Sequence, residues 1–482
     1  MEITVSYEQE LQFQAKRRKA TVDLIKIISE LWYEKSIELV LFRNQLIDKT
    51  VSEILNLHEY AEEFVEKPIS IFDTVEITKS LKSIDLPPSR IDIGKLTFEY
   101  KLHEPLEKNI LSFVIEKLNS SNDVKKMTPK DVVLFGFGRI GRLVAREIMT
   151  KTGAGNQLRL RAVVTRGKIT KEILEKRASL LRYDSVHGDF CGTVQVDFSK
   201  KALIINGTTV YFISSDDLKS IDYKSYGIHN ALLIDNTGVN RDRLSLSKHF
   251  ENPGISKVIL TAPGKEIPNI VYGVNHKKYT PEELDISSAA SCTTNAITPV
   301  LKIIHEHLEI ENGHLETIHA YTNDQNLVDN FHSKYRRGRA AGLNMVITET
   351  GAGKAVAKAL PVLTDKLTSN AIRVPVPNGS LAILNLNIKN ATTLPNLNEI
   401  VKKAALNGDL VEQIKYEIND ELVSSDIVGS AAPSIYDSKA SLVSNEGKNI
   451  VIYVWYDNEY GYSHQVVRLA KYVSNVRRFT YY

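Results

Sequence analysis

One turn between a strand and a helix constrains the fold of this chain more than any other feature. The apolar run Val132–Phe135 leads directly into Gly136, Gly138 and Gly141, which have G-x-G-x-x-G spacing, and a helical run to Thr150 follows. A second apolar strand comes after that helix. The order strand, helix, strand predicts a βαβ unit and hence an α/β fold built on a parallel sheet.

Each glycine has a physical task at such a turn. Gly136 permits the tight turn, Gly138 lets a pyrophosphate approach the backbone, and Gly141 lets the helix pack closely on the strand. The helix N-terminus supplies backbone N–H groups to the anion. Because strand, glycines and helix occur in the required order, we predict a dinucleotide site rather than a merely structural turn.

The second strand ends without the acidic residue that usually binds the adenosine ribose 2′-hydroxyl. The chain reads Thr165-Arg166-Gly167-Lys168 at that point. A guanidinium can pair with a 2′-phosphate, and Lys168 adds a second positive charge. We therefore predict that NADP(H) is used at least as well as NAD(H). In the alternative, Arg166 points to solvent and the comparison with other dinucleotide sites is shifted by a residue or two.

The distribution of glycine divides the chain near residue 128. The first 130 residues contain one glycine, Gly94, whereas the remainder carries the other 24 of the 25. Residues 2–67 contain neither Gly nor Pro, and their apolar residues recur at helical i, i+3, i+4, i+7 spacing. Residues 119–126 are typical of a linker. We predict a mostly α-helical N-terminal region over residues 1–128.

Composition excludes several classes of protein. A chain of 482 residues that is 43% hydrophobic and 25% charged is expected to be globular with several domains. Its net charge of +3 predicts neither a nucleic acid nor an anionic membrane as partner. The sequence lacks a membrane-spanning apolar run and begins without a signal-peptide pattern, so we expect a cytoplasmic protein. No metal site is predicted.

The two cysteines have different sequence contexts. They can form at most one disulfide, which excludes a disulfide framework. Cys191 lies in a loop-like segment and is interpreted as inert packing, whereas Cys292 precedes a helical stretch. A helix N-terminus lowers a thiol pKa and places N–H groups beside an oxyanion, which suits a nucleophile. A thiohemiacetal formed there could transfer a hydride to a nicotinamide, and His319 is the candidate base.

Seven segments between about residues 130 and 475 together resemble phosphorylating glyceraldehyde-3-phosphate dehydrogenases. The resemblance implies a Rossmann dinucleotide-binding domain over 129–291, completed by a C-terminal helix at 459–482. It also implies an α+β catalytic domain with a mainly antiparallel sheet over 292–458. The segments are GFGRIGR (136–142), ASCTTN (290–295), HAYTNDQ (319–325), RRGRAAG (336–342), TGAGKAV (350–356), RVPVPN (373–378) and WYDNEYGYS (455–463).

The same resemblance implies roles for individual residues. Cys292 matches the nucleophile and His319 the histidine that activates it. The pocket for the substrate phosphate matches Thr322, Asp324 and Arg373. The pocket for the attacking inorganic phosphate matches Ser291, Thr293, Arg339 and Thr350. The cofactor-binding residues are Gly136, Gly138, Arg139, Ile140, Gly141, Thr237, Asn458 at the nicotinamide carboxamide and Tyr462 beside the ring, together with the predicted Arg166.

The implied reaction converts glyceraldehyde 3-phosphate, phosphate and NAD(P)+ reversibly to 1,3-bisphosphoglycerate and NAD(P)H through a cysteine thiohemiacetal and thioester. Asn330-Phe331 replaces the Leu-Pro pair that accompanies NAD preference in the family, so the enzyme is expected to prefer NADP or to use both cofactors. A homotetramer is implied, with the loop at residues 326–337 reaching a neighbouring subunit's cofactor.

Two other functions remain open at this point. Erythrose-4-phosphate dehydrogenase shares the fold but hydrolyses its thioester; Thr322, the Thr350-Gly351 pair and Tyr456 argue against it. The other alternative is a scaffold whose functional part is the N-terminal extension. That extension could cap the dehydrogenase, form oligomers or dock another protein, because its hydrophobic periodicity shows only that it packs against something.

Overall fold

The chain forms two compact units in a computed structural model. Residues 120–126, which make up most of the predicted linker, lie outside the described residues. The predicted domain division at residues 128 and 291 stays a prediction. The structure describes residues 6–65, 67–102, 109–119 and 127–482. The first unit contains residues 1–129, 152–157 and 476–482, and the second contains residues 130–151 and 158–475.

The first unit is mostly helical, as the sequence predicts. Its longest helix, α1 (Tyr7–Lys35), begins at a capping box between Ser6 and Gln9, and it buries Leu24 and Leu31 on one face. Among the described residues, no helix combines the length and the apolarity needed to cross a membrane. The helices that follow are α2 (Val51–Val65), α3 (Ile71–Lys82), α4 (Ile93–Leu102) and α5 (Ile110–Leu118).

The first unit also contains a small sheet that helical periodicity did not predict. The short strands β1 (Glu38–Leu41), β2 (Asn44–Gln45) and β3 (Ser89–Asp92) lie side by side, with β1 parallel to β3. The fully buried Asp92 carboxylate accepts hydrogen bonds from the Phe42 and Arg43 backbone N–H groups over 2.8 and 2.9 Å. Strands of two to four residues are too short to show a period of two in the sequence.

The nucleotide-binding half of the second unit is a doubly wound sheet. Within residues 130–288, eight strands lie in the order β11-β10-β9-β4-β5-β8-β7-β6, and those from β11 to β8 are parallel. This arrangement confirms the predicted fold class. The elements are β4 (Lys130–Phe135), α6 (Arg139–Thr150), β5 (Leu158–Thr165), α7 (Lys171–Arg182), β6 (Val194–Asp197), β7 (Ala202–Ile205), β8 (Thr208–Ser214), β9 (Ala231–Asp235), α8 (Arg243–Ser247), β10 (Ile255–Leu260) and β11 (Ile286–Ser288).

The half that the sequence predicts to be catalytic is a mainly antiparallel sheet with several helices. Within residues 292–475 the strand order is β13-β14-β12-β15-β19-β17-β16, and β18 also pairs with β19. The elements are α9 (Cys292–Leu308), β12 (Ile310–Ala320), β13 (Val346–Glu349), α10 (Ala352–Ala359), β14 (Leu367–Val374), β15 (Ser380–Ile388), α11 (Leu394–Leu406), β16 (Ile414–Glu417), β17 (Ser434–Asp437), β18 (Leu442–Val443), β19 (Asn449–Tyr456) and α12 (Tyr460–Val473).

The end of the chain differs from the sequence expectation. The C-terminal helix was predicted to run through residues 459–482, but α12 ends at Val473 and a further strand, β20 (Phe479–Tyr481), follows. β20 pairs in parallel with β3 and thus belongs to the small sheet of the first unit. Before it, Arg478 forms a buried ion pair with Glu38. Pairing with a distant strand decides this conformation, which local sequence does not reveal.

Candidate active site

The nucleophile candidate occupies the first position of a helix. α9 begins at Cys292, and the Ser291 Oγ accepts the Thr294 N–H over 3.1 Å as its N-cap. The preceding Ala290 has a left-handed backbone with φ of 57°. The Tyr462 hydroxyl donates to the Ala290 carbonyl over 2.8 Å, which holds this turn in place. The cap and the tyrosine together fix the Cys292 thiol at the open helix N-terminus.

Strand pairing brings the base and an arginine to this thiol. His319, near the end of β12, stands opposite Arg373 in the parallel register with β14. Its Nε2 lies 3.6 Å from the Cys292 Sγ, and its Nδ1 lies 2.7 Å from the Ala320 carbonyl oxygen. Arg373 Nη1 lies 2.6 Å from that Nδ1 and donates to the same carbonyl over 2.9 Å. Nδ1 can either accept from Arg373 or donate to the Ala320 carbonyl, and the tautomer that donates to Ala320 leaves the Nε2 lone pair facing the thiol.

Burial favours the neutral forms of both groups. Burial raises the pKa of the Cys292 thiol, and the positive charge of Arg373 and hydrogen bonds at the helix start offset only part of this rise. Burial also lowers the pKa of His319 to about 3, helped by Arg373. A helix N-terminus by itself predicts a lowered thiol pKa. The direction in the structure is opposite, because desolvation of the thiolate outweighs the N–H groups.

The thiols differ in accessibility. Cys292 is partly exposed in the site, whereas Cys191 is exposed on the loop that follows α7. Cys191 therefore does not pack in a core, contrary to the sequence interpretation. Its loop neighbour Phe190 instead lies 5.9 Å from the Arg146 guanidinium.

A group of charged residues adjoins Arg373. Arg337 donates from Nη1 to the Asp324 carboxylate, and from Nε to the Thr348 hydroxyl over 3.0 Å. Its positive charge contributes to lowering the pKa of both Arg373, where burial is the larger cause, and His319. Arg337 was not singled out in the sequence, although it lies within the segment RRGRAAG. Two cations with hydroxyl groups form a suitable phosphate pocket.

The structure does not bring Arg339 into this group. Its Nε donates to Asp329 over 2.9 Å, and its side chain is 63% exposed. Arg337 and Arg339 are two residues apart in an irregular segment, where sequence gives no periodicity that would distinguish the inward residue. Thr322 is partly exposed just before Asp324. Arg339, predicted for the inorganic-phosphate pocket, thus has no described hydrogen bond to Cys292, Thr293 or Thr350, and that prediction stays a prediction.

Hydroxyl groups line the other side of the thiol. The Thr293 Oγ1 lies 4.0 Å from the Cys292 Sγ and 3.0 Å from the hydroxyl of Tyr456, which is fully buried. The Ser291 hydroxyl is engaged in the helix cap. Thr350 accepts the Ala352 N–H over 3.3 Å at the start of α10. None of the described hydrogen bonds joins Thr350 to Cys292.

The glycine turn fits a dinucleotide pyrophosphate. Gly136 has φ of 95°, and a Cβ on Gly141 would lie 2.5 Å from the Gly136 carbonyl oxygen. A Cβ on Gly138 would meet no atom of the described residues within 4 Å, so this position opens onto free space. Gly138 is the N-cap of α6 and makes no side-chain cap, which leaves N–H groups of Arg139 and Ile140 for an anion.

The adenosine side of the site is organised by a buried carboxylate. Asp235 Oδ1 accepts hydrogen bonds from the Thr237 N–H and hydroxyl over 2.8 and 2.6 Å. The Thr237 methyl group lies beside Gly136. Arg166 is exposed directly after β5, and the Gly167 N–H donates to Asp216 Oδ1 over 3.4 Å. Arg166 is therefore accessible to a ligand at this end of the sheet.

Ser380 connects Asn458, the residue predicted for the nicotinamide carboxamide, with the strand that carries His319. Its hydroxyl donates to the Asn458 Oδ1 over 2.8 Å and accepts the Ala320 N–H over 3.1 Å. Ser380 was not found from the sequence, since a serine at a strand start carries no distinctive signal. This link orients Asn458 relative to His319.

A doubly wound nucleotide sheet joined to a cysteine–histidine site is typical of NAD(P)-dependent dehydrogenases that act on aldehydes. The chain belongs to the glyceraldehyde 3-phosphate dehydrogenase family. The model of its NAD binding domain matches residues 130–243, and the model of its C-terminal domain matches residues 291–458. The oxidoreductase class, the family resemblance and NAD or NADP as cofactor are thereby confirmed.

Relatives of two lengths are similar to the chain. A glyceraldehyde-3-phosphate dehydrogenase-like protein of Pseudomonas aeruginosa is 47% identical over 461 residues, which cover 94% of the chain and 98% of that protein. A glyceraldehyde-3-phosphate dehydrogenase of Neurospora crassa is 39% identical over 71% of the chain and 96% of its own length. Glyceraldehyde-3-phosphate dehydrogenase 1 of Bacillus subtilis is 38% identical over 70% of the chain and 96% of its own length. The Pseudomonas protein therefore shares most of the N-terminal extension.

Proposed function

We propose that the chain catalyses the reversible, phosphate-dependent oxidation of glyceraldehyde 3-phosphate to 1,3-bisphosphoglycerate with NAD(P)+. The observation that carries this proposal is the 3.6 Å contact between Cys292 Sγ and His319 Nε2 with Arg373 beside it. Nucleophile, base and phosphate-binding cation thus meet at one point. The family supplies the substrate class.

The first step forms a bond between the Cys292 sulfur and the aldehyde carbon. His319 Nε2 accepts the thiol proton as the sulfur attacks and passes that proton to the carbonyl oxygen, which gives a thiohemiacetal and a neutral imidazole. N–H groups at the start of α9 stabilise the developing oxyanion. Arg373 and Arg337 hold the substrate phosphate so that its aldehyde lies against Cys292.

The second step is the oxidation. A bound NAD(P)+ supplies the hydride acceptor. His319 takes the hydroxyl proton of the thiohemiacetal as the C–H bond breaks, and a thioester on Cys292 results. We assign Asn458 to hold the carboxamide, and its hydrogen bond from Ser380 supports that assignment by fixing its orientation.

The third step releases the product. Thr293 and its hydrogen-bonded partner Tyr456 offer hydroxyl groups beside Cys292 for inorganic phosphate. A phosphate oxygen attacks the thioester carbon, the C–S bond breaks, and protonated His319 returns its proton to the sulfur. The acyl phosphate leaves, and the thiol is restored.

The positive charges after β5 support NADP as the preferred or equal cofactor. Arg166 and Lys168 are both exposed directly after β5, where a ribose 2′-phosphate would lie. Asp216 Oδ1 is bound by the Gly167 N–H at the same place, so it is the acid that could accept a ribose hydroxyl in NAD. An enzyme that uses both NADP and NAD is consistent with having these cations and Asp216 at one place.

The decisive experiment measures initial rates with glyceraldehyde 3-phosphate, comparing NAD with NADP, each with and without inorganic phosphate. We expect turnover that requires phosphate and is at least as efficient with NADP. Turnover without phosphate would favour a hydrolysing relative such as erythrose-4-phosphate dehydrogenase. Lack of turnover with either cofactor would favour a scaffold function of the N-terminal extension.

We also propose a cytoplasmic homotetramer. The loop at residues 326–337 exposes Leu327 and Phe331 by 86% each and Tyr335 by 85%. Large apolar side chains at this exposure are typical of a subunit contact. Light scattering of the full chain would measure the mass, and a monomer at micromolar concentration would contradict the proposal.

A further inference from the structure

A buried ionic cluster joins the glycine turn to the start of α12. Arg139, the first residue of α6, donates to Glu459 from Nε over 2.7 Å and from Nη2 over 2.5 Å. Its Nη1 and Nη2 also donate to the Asp184 carboxylate over 2.8 and 3.1 Å. Two carboxylates therefore bind the Arg139 guanidinium, and Asp184 also lies 3.9 Å from Arg142 Nη2, so the charge of Arg139 is already paired and is not free for a pyrophosphate. Arg139 therefore contributes to cofactor binding through its backbone N–H group and through the ion pairs by which its side chain connects Glu459 and Asp184.

The cluster is fixed in position by burial. The side chain of Asp184 is 6% exposed and that of Glu459 is 16% exposed. Although burial acts to raise it, hydrogen bonds from Arg139 and two backbone N–H groups hold the pKa of Asp184 at about 2. His187 Nε2 lies 3.0 Å from Glu459 Oε2, and its side chain is 2% exposed. Charge-assisted bidentate bonds in such a setting specify geometry strongly.

Glu459 directly follows the proposed carboxamide-binding residue. Asp457 Oδ1 accepts the N–H groups of Glu459 and Tyr460 over 2.9 and 2.7 Å and so orders the start of α12. Asp457 also accepts from Asn378, and Asn458 accepts from Ser380, which ties this turn to the catalytic half. The described side-chain contacts of Glu459 go instead to Arg139 and His187 in the nucleotide-binding half.

We propose that Glu459 is a positioning residue which, through Arg139, sets the spacing between the pyrophosphate turn at Gly138 and the carboxamide-binding Asn458. The dinucleotide must span these two points, so the ion pair determines whether both of its ends are bound at once. The inference rests on the proposed function, because that proposal places the two ends of the cofactor.

The test compares two ligands in the full-length protein. NADPH spans both points, whereas 2′-phospho-ADP-ribose lacks the nicotinamide and reaches only the nucleotide-binding half. Dissociation constants are measured by titration calorimetry for wild type and Glu459→Gln, which keeps the side-chain shape but removes the charge. We expect NADPH to bind about tenfold more weakly to the variant and 2′-phospho-ADP-ribose to change less than about twofold.

Two further variants separate positioning from general effects. Asp184→Asn removes the other carboxylate on Arg139 but leaves the link to α12, so it should affect the two ligands equally. If Glu459 acts through Arg139, the double variant Arg139→Gln/Glu459→Gln should bind NADPH no more weakly than Arg139→Gln alone. Glu459→Asp, which keeps the charge, should recover part of the loss. Thermal unfolding of each variant identifies any that fails to fold.

Equal weakening of both ligands by Glu459→Gln, or no weakening of either, would overturn the positioning role. Additive losses in the double variant would also overturn it. Failure of the wild-type protein to bind either ligand would instead refute the proposed cofactor site. A wild type that binds both ligands but does not oxidise glyceraldehyde 3-phosphate would refute the proposed reaction and leave the positioning role open to the same comparison.

Discussion

Cys292 and Cys191 provide a matched pair of thiols for testing the nucleophile. Only Cys292 adjoins a histidine ring in the described contacts, whereas Cys191 lies on a surface loop. We expect Cys292→Ser to lower turnover by about a thousandfold or more while NADPH binding is unchanged. Cys191→Ser should retain wild-type rates. Substantial activity in Cys292→Ser, measured by initial rates, would refute the thioester mechanism.

The reactivity of the thiol should depend on pH and on His319. Because burial raises the pKa of Cys292, the rate of alkylation by iodoacetamide should rise as pH increases from 7 to 9. His319, whose pKa is lowered to about 3, is neutral over this range, so its imidazole can take the thiol proton at the moment the sulfur attacks. His319→Asn should therefore react more slowly at pH 7 and approach the wild-type rate at high pH. Its turnover should fall by about a hundredfold. Equal alkylation rates at pH 7 would contradict the assigned base.

Arg166 should determine use of the 2′-phosphate. Replacing its charge by Arg166→Gln should lower kcat/KM for NADP by about tenfold or more, since a charge-assisted pair contributes about 1.5–3 kcal/mol. The value for NAD should change little. Lys171→Gln, an exposed lysine nearby at the start of α7, serves as control. An equal decrease in kcat/KM for NADP and for NAD would show that Arg166 does not recognise the 2′-phosphate.

At the scale of elements, two glycines of the turn between β4 and α6 have different roles. Gly141 matters for the stability of the fold and Gly138 for cofactor binding. A Cβ on Gly141 would overlap the Gly136 carbonyl at 2.5 Å, so Gly141→Ala should lower the free energy of unfolding by about 1–3 kcal/mol. Gly138 has φ of −78° and open space around it. Gly138→Ala should therefore leave stability within about 0.5 kcal/mol and weaken cofactor binding by about tenfold.

Thermal unfolding and NADPH titration measure these two quantities independently. The prediction requires that the two alanine variants differ in kind, one in stability and the other in affinity. Unchanged NADPH affinity in Gly138→Ala would show that the pyrophosphate does not approach this backbone.

At the scale of the whole molecule, the last strand should stabilise the N-terminal unit. Arg478 pairs with Glu38 where the two side chains are 4% and 1% exposed, and its guanidinium lies 5.2 Å from the Trp32 ring centre. Arg478→Met would leave a buried carboxylate with Arg90 as a more distant cation at 3.5 Å. We expect a loss of about 3–5 kcal/mol, seen as faster proteolysis within residues 7–118.

An exposed arginine of the same unit supplies the control for this prediction. Arg18 is exposed on α1, so Arg18→Met should change stability by less than about 0.5 kcal/mol. The double change Glu38→Leu/Arg478→Met should recover much of the loss, because no buried charge remains. Equal protease sensitivity of the two single variants would show that the C-terminal segment does not support the N-terminal sheet.

The sequence determined the parts of this protein that local physics specifies. The strand, glycines and helix at residues 132–150 predicted the dinucleotide fold, since backbone sterics restrict such a turn to few residues. Helical periodicity predicted α1, and the context of Cys292 predicted a helix start. The family resemblance then supplied His319 and Arg373, whose spacing in the chain carries no local signal.

Tertiary structure decided the features that depend on distant pairs. The register of β12 with β14 brings Arg373 to His319, and folding of an irregular loop brings Arg337 rather than Arg339 close to Arg373. Desolvation, which exists only in the folded protein, reversed the expected direction of the Cys292 pKa. β20 became a strand because β3 lies beside it, although the two are nearly 400 residues apart in the chain. Such contacts depend on the whole fold, so no local window of sequence contains them.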